Sequence, residues 1–206
     1  MPNRSLAEIL DLSCRDHHHL CPRQVLGARL GQAGLAALGF NQPPPGKRLL
    51  IIAETDGCFL DGISAATDCT PGHRTLRIED YGKTAAVFVD TATHKAVRIA
   101  PWIDLRTRAN TYAPDEPRRY FAQMAAYKIM PLEAMFTTSS VSLKGSIQAI
   151  VARPGVREIC ASCGEEIINE RTFPQNGTLV CHTCAHGGYY LNLDETAYPF
   201  AQAQIS

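Results

Sequence analysis

The sequence predicts an α+β fold, with N-terminal helices packed on a mostly antiparallel sheet and a small cysteine-bound module appended. Three observations carry that prediction. Helix-start signals and apolar spacing of three and four residues dominate the first forty positions. Short apolar or alternating runs separated by turn residues dominate 48–100, and two C-x-x-C pairs follow Pro154-Gly155. At 45% hydrophobic and 19% charged, the 206 residues have a globular composition and enough length for one core plus an appendage. The domains expected are 1–154 and 155–206. The apolar run Leu49–Ala53 is far too short to cross a membrane, and Met-Pro-Asn-Arg-Ser has no apolar leader core, so a cytoplasmic protein is expected.

The elements follow in order. Ser5-Leu-Ala-Glu8 is a capping-box pattern ahead of Ile9, Leu10 and Leu12, predicting a short helix. Pro22 suits the first turn of a second helix, on which Val25, Leu26, Leu30, Ala33, Leu35 and Leu38 face a core and Gly39 forms the C-cap. Gly27, Gly31 and Gly34 recur along it; each costs about 1 kcal/mol of helix propensity, which close approach of another backbone can offset. Arg48–Glu54 reads as a buried strand that ends in the turn Thr55-Asp56-Gly57-Cys58, with a helix over 59–67. Runs at 75–78, 84–90 and 95–100 predict a strand meander. Proline-rich 112–117 is a linker, 118–128 and 131–135 are helices, and 136–143 and 147–153 read as strands.

The chemistry concentrates in Cys14-Arg-Asp-His-His-His-Leu-Cys-Pro22, where two thiols and three imidazoles fall within nine residues. In an extended segment His17, His19 and Cys21 point to one side and His18 to the other. Cys21 then sits at a helix N-terminus, where free N–H groups favour a thiolate. Cys58, at the strand-to-helix turn, is the second candidate thiol, and Asp61 lies three residues on along the same helical face. His17, His19, Cys21 and Cys58 are therefore candidate ligands for a second transition metal (zinc, nickel or iron), with Asp56 or Asp61 orienting them or accepting a proton. Cys21, Cys58 and Asp61 are also the catalytic candidates. Ordinary buried thiols remain the alternative for Cys58 and Cys69, and no role is assigned to Cys14, Cys69 or His18.

After the boundary, Cys160-Ala-Ser-Cys163 and Cys181-His-Thr-Cys184 stand seventeen residues apart. That spacing predicts a tetrahedral, structural Zn²⁺ site in a zinc ribbon whose folding free energy comes largely from the metal. Residues 157–206 carry two arginines against six acids, a balance of −4, which argues against direct nucleic-acid binding.

These residues resemble a known family. His17-His-His19-Leu-Cys21-Pro followed by Gly27-Ala-Arg29-Leu-Gly31 is similar to the opening of the FmdE family, named for a component of formylmethanofuran dehydrogenase. Glu54-Thr-Asp56-Gly-Cys58-Phe-Leu-Asp61-Gly-Ile63, Thr67-Asp-Cys69-Thr-Pro-Gly72 and Asp80-Tyr-Gly-Lys83 resemble its later blocks, in order over roughly 12–100. His18 and Arg23 stand where the family usually has glycine. The C-terminal module is similar to the TraR/DksA-type ribbon. The resemblance implies an α+β core in which the His/Cys segment meets the Cys58 turn at a metal pocket, and a homodimer. It also implies an association with molybdenum or tungsten pterin enzymes.

The expected function is thus that of a metal-binding accessory protein to such a redox enzyme, handling metal, sulfur or cofactor. A metalloenzyme in its own right using the same site is the alternative. A ribbon regulator contacting the transcription machinery is the third reading.

Overall fold

The computed structural model describes residues 4–15, 19–151, 155–169 and 171–191. Two compact units emerge, Met1–Val151 and Ala152–Ser206. In the first, α1 (Leu6–Ser13) opens at Ser5, whose hydroxyl accepts from the Glu8 N–H at 3.3 Å while the Glu8 carboxylate accepts from the Ser5 N–H at 2.7 Å. Two N–H groups without helical partners are thereby satisfied. Helix α2 (Pro22–Leu38) starts on its proline and ends at Gly39 in the left-handed region.

One sheet takes the order β2-β1-β3-β4-β5, built from β1 (Leu49–Ala53), β2 (Leu76–Ile78), β3 (Ala86–Asp90), β4 (Ala96–Pro101) and β5 (Phe136–Val141). Every pairing is antiparallel except β1 with β2, where Ile51 lies opposite Leu76. The parallel pair has a topological cause. Helix α3 (Cys58–Thr67) crosses over between those two strands, so the chain returns in the same direction. The mostly antiparallel sheet is as expected, with one correction: the strand at 76–78 flanks β1 at the sheet edge, and the meander is β3-β4-β5.

Residues alternate between the two faces of the sheet. Ile51, Phe88, Val97 and Ile99 join the main core beneath α1, α2 and α3, together with Ala126, Tyr127 and Met130. Leu50, Val89 and Ala96 face the other way and are covered by Leu143, Ile147, Ile150 and Val151. Those last residues correct a second expectation, because 147–151 is a helix, α7 (Ile147–Val151), not a strand. Ile147, Ile150 and Val151 have helical spacing, and a helix lays all three on the sheet face, whereas a strand would split them. Between β4 and β5 the chain forms α4 (Leu105–Tyr112), α5 (Arg119–Ile129) and α6 (Leu132–Met135).

At the end of β1, Glu54 is 8% exposed and is held by Arg98, whose Nε and Nη2 donate to its two oxygens at 2.6 and 2.7 Å. Arg98 keeps the Glu54 carboxyl below the usual carboxylate range, against the opposing effect of burial. The Asp80-Tyr-Gly-Lys83 turn folds onto the same strand end, Tyr81 and Lys83 each donating their N–H to the Glu54 carbonyl at 3.0 Å. Arg98→Ala leaves a nearly buried carboxylate without its partner and is expected to cost about 3 kcal/mol at pH 7. A lowered folded-state pKa contributes stability that is complete above the unfolded carboxyl's range and is lost as pH falls through the folded value. The gap between wild type and variant, read from urea midpoints, therefore narrows from pH 7 to pH 3.

The second unit contains β6 (Arg157–Ile159) paired with β7 (Glu166–Ile168), β8 (Phe173–Gln175) paired with β9 (Thr178–Val180), and α8 (His182–His186). Among the described residues its buried ones are Cys160, Ile167 and Val180, with Phe173 and the other three cysteines packed around them. So small an apolar cluster cannot offset the chain entropy of some fifty residues.

Candidate metal centres

Two knuckles of the second unit converge. Cys160–Cys163 spans the turn between β6 and β7; Cys181 follows β9 and caps α8, which carries Cys184. The four sulfurs lie within 4.8 Å of one another, a four-cysteine metal-binding group. Backbone N–H groups point at the sulfurs: Cys163 and Cys181 donate to Cys160 Sγ at 3.5 and 3.2 Å, and Cys184 donates to Cys181 Sγ at 3.4 Å. Burial opposes ionisation of Cys160, yet these donors outweigh it and bring its pKa to about 6. Burial pushes Cys163 up to about 12, its thiol neighbours adding to the effect. Four sulfurs so close cannot all be thiolates on their own; a bound cation is what permits it, so the donor set fits a thiophilic divalent metal. His182 and His186 instead pack edge-on against Phe173, with ring centroids 5.4 and 4.7 Å away.

The first unit brings two more thiols together by packing glycines. Helices α2 and α3 run in the same direction: Gly27 lies against Phe59 and Ile63, and Gly31 against Ala66 and Thr67. A Cβ on Gly27 would collide with the Phe59 carbonyl oxygen, and one on Gly62 would meet the Gln24 carbonyl oxygen and, at 2.5 Å, the Ala28 nitrogen. Backbones in contact and aligned in direction put both helix N-termini at one end. Cys21 is the N-cap of α2 and Cys58 the first residue of α3, so their thiols become neighbours.

Gln24 secures the Cys21 side of this pair. Its Oε1 accepts from the Cys21 N–H at 2.8 Å, its own N–H reaches Cys21 Sγ at 3.4 Å, and its Nε2 donates to the Ser13 carbonyl at 2.9 Å. This is a capping box with cysteine in the place of serine, tied to the end of α1. The Cys58 pKa is raised, first by burial and then by the neighbouring Cys21 thiol and the Asp61 carboxylate, while the backbone N–H of Cys58 pulls the other way. Tyr120 of α5 stands over the pair: its hydroxyl donates to the Leu20 carbonyl at 3.3 Å, and burial followed by the charges of Cys21 and Cys58 raises its pKa.

Of the residues singled out from sequence, Cys21, Cys58 and Asp61 are thus brought together. His17 and His18 lie outside the described residues, while His19 and Asp56 are exposed. Among the described residues, the group of three or more potential ligands at the 4.8 Å spacing is the C-terminal one. Cys69 is a buried core thiol whose Sγ points to the Leu49 carbonyl at 3.6 Å and whose pKa burial pushes up to about 11. Sequence reading missed two residues here. Gln24 was legible as the third residue after a capping Cys21, whereas Tyr120, far along the chain, had no local signal.

A sheet backed by parallel helices that pair two thiols, joined to a four-cysteine metal-binding module, defines a metal-binding α+β protein. The comparisons sharpen that class. The family described as FmdE, molybdenum formylmethanofuran dehydrogenase operon, matches residues 17–137, and the chain belongs to the FmdE family. A tungsten formylmethanofuran dehydrogenase FmdE-like protein from Syntrophus aciditrophicus shares the fold, with a TM-score of 0.56 at 21% identity over 93% of this chain and 100% of that one. A probable S-adenosyl-L-methionine-binding protein of Archaeoglobus fulgidus is 33% identical over 101 residues, 48% of this chain. The match spans only 28% of that relative's length. Among the described residues no helix is long and apolar enough to cross a membrane.

Proposed function

We propose that this chain is an accessory protein of a molybdenum- or tungsten-pterin enzyme, or a related redox enzyme, handling metal, sulfur or cofactor through the Cys21–Cys58 site, with zinc in the four-cysteine group. One observation carries the reading: two thiols sit side by side at the N-termini of two helices whose direction is locked by glycine packing. Thiol pairs bind soft and borderline cations; the Gln24 N–H at Cys21 Sγ favours a thiolate there, and a bound cation would offset the raised pKa of Cys58. Cys21 and Cys58 would hold the ion, His19 and His17 stand close in sequence as further donors, and Asp61 would accept a proton or orient a ligand. Such a centre supplies soft-metal or sulfur chemistry when loaded. Pairing of two copies into a homodimer belongs to the same proposal and is checked by light scattering.

Metal analysis of anaerobically purified protein tests the reading, with wild type compared with His19→Ala/Cys58→Ala. The expected result is about two equivalents per chain falling to about one, the remaining equivalent being zinc. One equivalent in both proteins would remove the N-terminal metal from the proposal. A metalloenzyme reading has one observation in its favour, the Tyr120 phenol beside the thiols as a proton source. It predicts turnover whose basic pH limb disappears in Tyr120→Phe.

A further inference from the structure

A cavity of about 540 Å³ opens beside the N-terminus of α2 and, among the described residues, bears no cysteine, histidine or carboxylate. Pro22, Leu26, Pro101 and Leu105 supply apolar walls, and Trp102 stands at the side. Arg23 and Arg106, both exposed residues, line the same space, and among the described residues no acidic one does. Neither arginine has an ion-pair partner among the described residues. The nearby Asp104 carboxylate is already taken by Arg108 at 2.9 Å.

Tyr127 is the telling member of the lining. It is only 3% exposed as a residue and lines the cavity; no hydrogen bond ties its hydroxyl among the described residues, and that oxygen is not fully buried. A phenol O–H without a protein partner, in the lining of a cavity, is free to donate to a ligand acceptor. Burial raises the Tyr127 pKa and Arg106 lowers it, which places that guanidinium close to the phenol and leaves the phenol protonated as a donor. Two guanidinium groups without ion-pair partners among the described residues and a donor hydroxyl, set among apolar walls, are complementary to an anion that carries an apolar body.

We propose that this cavity binds a small-molecule anion, a phosphomonoester or carboxylate attached to a planar or apolar group, held by Arg23, Arg106 and the Tyr127 hydroxyl. The site goes beyond the metal-handling reading and does not depend on it, because none of its residues belongs to either thiol group.

The chain's single tryptophan is Trp102, which lines this cavity and also a second one with Ala33, Leu132 and Glu133, so the Arg23 and Arg106 variants decide which of the two a fluorescence change reports. Phenyl phosphate serves as the probe, titrated into the full chain, with benzyl alcohol as its uncharged counterpart. A saturable change in Trp102 emission is expected with phenyl phosphate and none with benzyl alcohol. Arg106→Gln should weaken the apparent affinity about tenfold or more, the loss of one charge-assisted contact, and Arg23→Gln should weaken it in the same direction. Tyr127→Phe, which keeps the ring packing, should weaken it several-fold. Lys47→Gln, in a separate cavity that also carries Arg74 and His73, should leave the titration unchanged. The proposal is overturned by no saturable response up to ~10 mM phenyl phosphate, a range that covers millimolar affinities. An equal response to benzyl alcohol, or wild-type affinity in both arginine variants, would overturn it as well.

Discussion

Gly62→Ala is expected to lower the stability of the first unit by about 3 kcal/mol or more, on the order of 10 °C in Tm, and to separate the Cys21 and Cys58 thiols. The added methyl has nowhere to go, since it meets the backbone of Gln24 and Ala28 and not the movable end of a side chain. Helices α2 and α3 must part for it to fit, and their separation strips contacts along both, including Gly27 against Phe59 and Gly31 against Ala66. Cys21 and Cys58 are neighbours only because these helices touch, so mild oxidation should form a Cys21–Cys58 disulfide far more slowly in the variant. Thermal unfolding and free-thiol titration check the two halves of this expectation. A Tm within about 2 °C of wild type, too small a shift for a loss of that size, would mean that the helices do not carry the packing assigned to them.

Removing metal from the four-cysteine group, by chelation or by Cys163→Ser with Cys181→Ala, is expected to unfold the second unit and leave the first intact. Structural metal binding of this type is worth about 10–16 kcal/mol at neutral pH, whereas Ile167 and Val180 beside Cys160 offer little apolar burial. Without a cation the close sulfurs repel as thiolates or stay protonated, and the knuckles lose the reason for their geometry. Hydrogen exchange should show amide protection in 157–186 dropping to that of an unfolded chain while the strands β1, β3 and β4 keep theirs. Protection persisting in the metal-free module would contradict the assignment of its stability to the metal.

The sequence by itself determined the local features of this protein. Capping residues fixed the starts of α1 and α2, since Ser5 with Glu8 and Pro22 satisfy or omit the unpaired N–H groups of a first turn. The C-x-x-C pairs identified the ribbon cysteines, because a knuckle is defined by a spacing of three residues. The Cys21 and Cys58 helix starts were legible for the same reason. The structure alone decided which distant segments meet. The edge position of β2 follows from the α3 crossover. The helical state of 147–151 follows from the need to lay Ile147, Ile150 and Val151 on one sheet face, which outweighed the strand preference of β-branched residues. Tyr120 over the thiols and Arg98 on Glu54 pair residues about 100 and 44 positions apart. No pattern in a short window encodes such pairs, because they depend on where whole elements pack.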